Sequence, residues 1–456
     1  MTAEQPEEAA RGPLVYKFGG SSVGDAHRLR HVASLVAAAP DPPVVVVSAL
    51  AGTTDLLVEA ARLHASGGDL GPLLQDLRRM HHAVAQEVAR GDESLALRLT
   101  DAIARIISSV PPEPGSAGGS EAGDRIRAAG EDLAALLLAG AIEAEGHDVE
   151  AIDARLLIRT DACHGAASPD ESAIRLAAEA LVMPRLAEGT IVVTQGFVGA
   201  TVDGATTTLG RGGSDLTASL IGSAIGAREV HIWTDVEGVL SGDPRAVENP
   251  RVLDELGFEE AVELAYFGAK VLHPGAAKHA VSRGLEVRIR STFAPERPGT
   301  RILRDRWGAP EIAAVAYKRD VALVQVRSHP SAIPYGFLAR VFEVLTRHRL
   351  PVDLVATSHT STAVTLDAAA EVSAAAEELG RFADVTVRTG LATITVVGHG
   401  LLEEPGVDAR VFQVVDRTPV HLVSQASNVS LSFVVDADDA PPLVRRLHHA
   451  LIERRP

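Results

Sequence analysis

The sequence predicts a mainly parallel α/β sheet covered by helices on both faces, followed by two smaller units of ferredoxin-like order. Three observations carry that expectation. Up to about residue 300, short apolar strands alternate with helical stretches and end in glycine turns, the pattern of a doubly covered parallel sheet with its site at the strand C-termini. Beyond it the order becomes strand-helix-strand-strand-helix-strand, and most of the same order follows again. At 456 residues the chain also exceeds one ordinary core, so two or three domains are expected.

Residues 1–12, which begin acidic and polar, are expected to be disordered. Residues 14–18, Leu-Val-Tyr-Lys-Phe, form a buried strand that runs into Gly19-Gly20-Ser21-Ser22-Val23-Gly24, with a helix over about 25–38. A strand, a glycine turn and a helix present backbone N–H groups to phosphate, although the spacing here is neither a Walker loop nor a dinucleotide fingerprint. Residues 44–47 make a second strand that ends in Ser48-Ala-Leu-Ala-Gly-Thr-Thr-Asp55, and helical patterns occupy about 56–109. The Pro-, Gly- and Ser-rich stretch 111–123 is expected to be a surface loop. Gly130-Glu131 is placed at or near the start of an apolar helix over 132–144, and 150–152 opens a short strand.

A strand over 190–198 leads to Thr208-Leu-Gly-Arg-Gly-Gly-Ser-Asp215, the stretch around which the chain is organised. Its Gly210, Gly212 and Gly213 allow a path that side chains would obstruct, and Ser214 and Asp215 start a helix over about 216–227. Such a loop aims N–H groups at an anion, Arg211 adds a bidentate fork, and Asp215 adds a charge able to hold a lysine or a metal. Residues 229–234 form a further strand. The pattern breaks over about 295–310, and the boundaries expected are a first domain at 13–303, a linker at 304–318, and two repeats at 319–390 and 391–456.

The chain is 46% hydrophobic and 23% charged, as in soluble globular proteins, and no apolar run approaches the roughly 18 residues of a membrane span. A cytoplasmic protein is expected. Cys163 is the single cysteine, which excludes an internal disulfide and a cysteine metal cluster. A net charge of −17 argues against nucleic-acid and anionic-membrane partners, and it requires a local positive pocket for any anionic substrate. Lys17, Lys270, Lys278 and Lys318 are the only lysines, and Lys17 and Lys270 fall inside motifs. In a chain that otherwise uses arginine, this points to a task for a compact point charge.

Lys17-Phe-Gly-Gly-Ser-Ser-Val23, Ser48-Ala-Leu-Ala-Gly-Thr-Thr-Asp55, Gly130-Glu131, Gly210-Arg-Gly-Gly-Ser-Asp215, Trp233-Thr-Asp-Val-Glu-Gly238, Asp243-Pro-Arg245 and Phe267-Gly-Ala-Lys-Val-Leu-His-Pro274 together resemble the aspartate kinase family, in order and spacing over nearly the entire chain. The lysine-sensitive monofunctional type is the nearest in pattern. The resemblance implies an amino-acid-kinase domain followed by two ferredoxin-like ACT domains. It also implies transfer of the ATP γ-phosphoryl group to the β-carboxylate of L-aspartate, giving 4-phospho-L-aspartate, the first step toward lysine, threonine and methionine.

That reaction makes sense of the residues. Phosphoryl transfer needs positioning and charge neutralisation, and a carboxylate with a reference pKa near ~4 needs no general base. By resemblance Lys17 and Asp215 are catalytic, Lys17 against the phosphates and Asp215 orienting it. Arg211 takes the substrate α-carboxylate, Glu131 accepts from its ammonium, and Ser48, Ala49, Thr54 and Ser214 line the same pocket. ATP falls to Lys17, Phe18, Gly19, Gly20, Thr234, Asp235, Leu240, Arg245, Lys270 and Val271, with Mg2+ travelling on the nucleotide and no protein metal ligand named. Leu240 stands where relatives often carry an aromatic.

An amino-acid effector at the ACT domains would meet Phe337, Leu338, Val352, Asp353 and Ser358. Ser331, Ile333 and Pro334 replace the Met, His and Ser expected before them, so weakened lysine control is expected, each lost polar partner costing about 1 kcal/mol. Association through the ACT domains implies a homodimer or homotetramer. Two alternatives stand beside this reading: another kinase of the same fold, acting on acetylglutamate, glutamate, carbamate or UMP, and a non-catalytic amino-acid sensor.

Overall fold

The computed structural model describes residues 12–89, 93–110, 120–267, 274–304, 306, 311–329, 336–368, 372–403 and 405–453. In chain order its elements are β1 (Leu14–Phe18), α1 (Ala26–Ala37), β2 (Val44–Val47), α2 (Thr53–Ala65), α3 (Gly71–Val88), α4 (Glu93–Ser109), α5 (Glu121–Ala144), β3 (Val149–Ala151), α6 (Ala154–Leu157), α7 (Glu171–Leu181), α8 (Met183–Ala187), β4 (Ile191–Gln195), β5 (Val198–Ala200), β6 (Thr206–Thr208), α9 (Gly213–Ala224) and β7 (Glu229–Thr234). There follow β8 (Glu255–Gly257), α10 (Phe258–Phe267), α11 (Pro274–Ser282), β9 (Glu286–Ser291), β10 (Thr300–Leu303), β11 (Glu311–Ser328), α12 (Phe337–Arg347), β12 (Val355–Thr357), β13 (Ser361–Asp367), α13 (Val372–Leu379), β14 (Ala383–His399), α14 (Val407–Val415), β15 (Leu422–Ser427), β16 (Ser430–Asp436) and α15 (Ala440–His448). They fall into two compact units, Met1–Val239 with Val271–Asp305, and Leu240–Lys270 with Arg306–Pro456.

In the first unit the strands lie in the order β3-β4-β2-β1-β7-β9-β10, parallel except for β10. Strand β1 sits at the centre, with Lys17 in register with Val46 of β2 and Ile232 of β7. Side chains alternate along a strand, so Leu14, Tyr16 and Phe18 join the core formed with α1 to α5, while Lys17 points to the other face, against which α9 packs. That alternation places the lysine.

Three expectations for this unit change. Helix α5 starts at Glu121 rather than near residue 132, because the Ser120 hydroxyl caps it by accepting from the Gly123 N–H at 3.1 Å. Gly123, expected in the surface loop, and Gly130, expected at or near the helix start, both lie inside this helix, and at Gly130 the close neighbours leave no room for a Cβ. The strand expected over 190–198 stops at Gln195, and a hairpin of β5 and β6 follows the positive φ of Phe197. Residues 300–303, placed where the pattern breaks, form β10.

The second unit carries one antiparallel six-stranded sheet in the order β12-β13-β11-β14-β16-β15. Strand β11 spans both repeats. Residues 321–327 pair with β13, whereas 311–318 pair with the later half of β14, from Thr393 to His399. Residues 311–318, expected as linker, therefore supply the strand the second repeat lacked. The two strands read separately at 385–387 and 391–397 are likewise one, β14. Each repeat keeps its own core, around Val324, Val341 and Leu366 in one and around Val315, Phe433 and Leu447 in the other. No described helix is long and apolar enough to cross a membrane.

A Cβ on Gly130 would lie 2.7 Å from that of Ala49 and 3.1 Å from Leu57 and Thr53. Alanine gains about 1 kcal/mol in a helix over glycine, but overpacking costs about 1–3 kcal/mol, so the clash should win. Gly130→Ala is expected to lower the urea midpoint; a raised midpoint would contradict this packing.

Candidate active site

Lys17 Nζ lies 2.7 Å from Asp215 Oδ1, with side chains only 13% and 11% exposed. Lysine reaches this point from the end of the central strand, and aspartate from the first turn of α9. The chain around them is shaped by glycine. Gly210 and Gly212 take φ of 76° and 69°, values open to glycine at little cost, and Gly212 turns the chain into α9. A Cβ on Gly196 would fall 2.5 Å from that of Ser214, and one on Gly20 would fall 2.8 Å from the Ala49 carbonyl. These close approaches bring three loops to the edge of one sheet.

Between them lies a cavity of about 700 Å3, lined by Lys17, Ser48, Thr54, Glu131, Arg211 and Ser214 among others. The structure thus brings together the lysine, the aspartate and the expected substrate residues. Ala49 is buried, and its N–H donates to Glu131 Oε1 at 3.1 Å. Glu131 is 6% exposed, and burial pushes its carboxyl up to about 8, a rise only partly offset by the Ala49 N–H. Arg211 is exposed, and Thr54 is exposed at the start of α2. Thus an exposed guanidinium and a carboxyl whose charged form burial disfavours line one space.

Asp124 and Arg127 were not singled out from the sequence. Asp124 is fully buried and accepts from Thr208 Oγ1 at 2.6 Å, the Gly165 N–H at 3.0 Å and His164 Nδ1 at 2.9 Å, with Arg127 at 3.2 Å. Arg127 and His164 also line the cavity. The spacing of Asp124, Arg127 and Glu131 puts all three on one helix face, a signal hidden by ending the surface loop at Gly123 and starting the helix near residue 132.

Of the expected nucleotide residues, Lys17, Phe18, Gly19, Gly20, Thr234 and Asp235 lie in the first unit. Phe18 is fully buried and stacked on Trp233, so it can offer a ligand only its main chain. Thr234 Oγ1 donates to Asp235 at 3.0 Å. Leu240 and Arg245 belong to the second unit, where Arg245 grips Asp243 at 2.7 Å, and Lys270 and Val271 lie outside the described residues. Among the described residues no three His, Cys, Asp or Glu side chains form a metal-holding group.

At the expected effector positions, Phe337 and Leu338 open α12 behind Gly336, and Ser358 Oγ is 2.7 Å from that of Ser361. Val352 packs against the first repeat's core. Asp353 is already engaged: Lys318 Nζ donates to it at 2.6 Å and Tyr266 Oη at 2.7 Å. Ser331, Ile333 and Pro334 lie outside the described residues.

The amino acid kinase family model matches residues 12–291, and an ACT domain model matches 394–451. Lysine-sensitive aspartokinase 3 of Escherichia coli (strain K12) is 35% identical over 452 residues, covering 96% of this chain and 99% of that protein. The crystal structure of E. coli aspartokinase III in complex with aspartate and ADP, in the R-state, matches with a TM-score of 0.82 at 34% identity, covering 96% of this chain and 99% of that one. The same enzyme with lysine and aspartate, in the T-state, matches with a TM-score of 0.83 at 34% identity and the same coverage. A lysine-aspartate pair in a glycine-walled cavity, on a parallel sheet joined to a double repeat, therefore occurs in a chain that belongs to the aspartokinase family.

Proposed function

We propose that the Lys17–Asp215 cavity transfers the ATP γ-phosphoryl group to the β-carboxylate of L-aspartate. The observation that carries this reading is the convergence of Lys17, Asp215, Arg211 and Glu131 on one space. A carboxylate oxygen attacks the γ-phosphorus, the bond to the β–γ bridging oxygen breaks, and ADP leaves with the electron pair. Charge spreads over the phosphoryl oxygens on the way, and Lys17 lies where it can neutralise it, held in place by Asp215. The acceptor is ionised at neutral pH, so no side chain need remove a proton.

Arg211, exposed and without a partner among the described residues, takes the α-carboxylate in a two-pronged grip. Glu131 receives the α-ammonium, and the arriving cation returns its carboxyl to the charged form that burial disfavours. Ser48, Ala49, Thr54 and Ser214 shape the remaining wall. Gly19, Gly20, Thr234 and Asp235 sit at strand ends of the first unit, where main-chain groups can face the nucleotide, and the family resemblance adds Leu240, Arg245, Lys270 and Val271 as further contacts. Magnesium, when bound with ATP, offsets phosphate charge. It would keep most of its waters and be held chiefly by the phosphates, with Asp235 as an indirect partner. The reaction is suited to the cytoplasm, and the ACT sheet to a homodimer or homotetramer.

The effector site is read as a weak one for lysine. An incoming ammonium would compete with Lys318, which already holds Asp353, and Ser331, Ile333 and Pro334 bring fewer polar partners than the family pattern.

With ATP and hydroxylamine to trap the acyl phosphate, aspartate should give hydroxamate where acetylglutamate and glutamate do not. In the same assay Arg211→Ala should raise KM for aspartate at least about tenfold and leave KM for ATP unchanged. Glu131→Gln should also raise KM for aspartate, and its melting temperature should gain on the wild type as pH rises. Between the ordinary carboxyl value of 4.5 and about 8 the folded chain keeps a proton the unfolded chain has lost, so the native contribution of Glu131 declines across that window. A melting difference independent of pH between about 5 and 9 would refute the buried-carboxyl reading. Lysine should inhibit only weakly at millimolar levels; sharp inhibition at micromolar levels would overturn the effector reading.

A further inference from the structure

Within the second unit, Ser241, His448 and Glu453 form a hydrogen-bonded line. Ser241 Oγ is 2.8 Å from His448 Nε2, and His448 Nδ1 is 2.9 Å from Glu453 Oε1. The Arg251 N–H donates to the same Ser241 oxygen at 3.0 Å. A carboxylate accepts and does not donate, so Nδ1 carries the ring proton and Nε2 accepts from the serine hydroxyl. Every donor then has an acceptor, provided the ring is neutral. Burial favours that form by lowering the His448 pKa, against the opposing pull of Glu453.

Serine, histidine and glutamate in line could suggest a hydrolase. Ser241 is fully buried and His448 is 1% exposed, so no substrate can reach the hydroxyl. The line has another consequence. Ser241 follows Leu240 directly and lies four residues before Arg245, the two nucleotide contacts expected on this loop. The loop is fastened to the second repeat at several other points. The Val315 N–H donates to the Ser241 carbonyl at 2.9 Å, Arg445 Nε donates to the Ala246 carbonyl at 3.2 Å, and Ala246 and Val247 enter the core with Leu443, Val444 and Leu447. A Cβ on Gly242 would lie 3.1 Å from His448 Cδ2, so the ring packs against the loop backbone itself.

We propose that His448 and Ser241 are positioning residues for ATP, and that through them helix α15 and the π-helix His449–Glu453 hold the loop from Leu240 to Arg245 in its nucleotide-binding shape. This rests on reading Leu240 and Arg245 as nucleotide contacts. The second repeat thus fixes the loop's shape, and movement of α15 passes to the loop through the Ser241–His448 contact alongside the Val315 and Arg445 hydrogen bonds.

The test uses the full-length enzyme and measures KM for ATP, KM for aspartate and melting temperature for Ser241→Ala, Ser241→Thr, His448→Phe and Arg245→Ala. Ser241→Ala and His448→Phe should each raise KM for ATP about five- to tenfold, the scale of one lost hydrogen bond, with KM for aspartate unchanged. Ser241→Thr, which keeps the hydroxyl, should restore it, and the double variant of Ser241→Ala with His448→Phe should be no worse than either single one. If Arg245→Ala raises KM for ATP while Ser241→Ala and His448→Phe do not, the positioning role is wrong and the loop reading stands. If Arg245→Ala leaves KM for ATP unchanged, the loop reading falls and the positioning role with it. A parallel rise in both KM values with a lowered melting temperature would make the line merely structural and overturn the proposal. Ser241→Ala removes one atom, so the outcome does not depend on the folding of His448→Phe.

Discussion

The ion pair between Lys17 and Asp215 is the constraint to which the first unit answers. A lysine at the end of a central parallel strand is an awkward group: it sits between two neighbours whose matching residues, Val46 and Ile232, are apolar. Strand alternation turns it to the face covered by α9, and that helix supplies the carboxylate in its first turn. Burying one partner alone would be costly, whereas a paired, mostly covered charge is preorganised for a phosphate. The glycines at 19, 20, 196, 210, 212 and 213 follow from the same demand, because three loops must close on the pair without side chains in the way.

Helix α5 completes the cavity and shows how much chemistry one helix face can carry. Asp124 pins the loop at His164 and Gly165 and the end of β6, Arg127 lies alongside it, and Glu131 ties down Ala49. The helix can approach so closely only because Gly130 faces Ala49. Its carboxyl at 131 is held in an environment that disfavours the charged form. The second unit has a parallel logic: one strand, β11, serves both repeats, so neither repeat is complete without the other, and the loop bearing Leu240 and Arg245 shares the second repeat's core.

Much of this was legible in the sequence. The central strand, the glycine turns and α9 could be read because period-two and helical patterns there are bounded by glycine, and the residues that line one cavity because their motifs keep family order. What was missed had physical reasons. The Pro-, Gly- and Ser-rich run up to Gly123 reads as loop and sets the expected start of α5 near residue 132 rather than Glu121, which hid Asp124 and Arg127. The first half of β11 was read as linker because its partner, the later half of β14, lies about 80 residues onward, beyond any local signal. The line from Ser241 to Glu453 joins residues more than 200 apart and carries no local pattern at all.

The central claim is that Lys17, held by Asp215, neutralises charge on the phosphates as they are transferred. Its most direct measurement is the rate of ATP-dependent aspartyl hydroxamate formation by the double variant Lys17→Met with Asp215→Asn, which leaves no buried charge unpaired. The account predicts a fall of about a hundred- to a thousandfold in kcat with folding retained. A folded double variant that keeps a rate within about threefold of the wild type would contradict it.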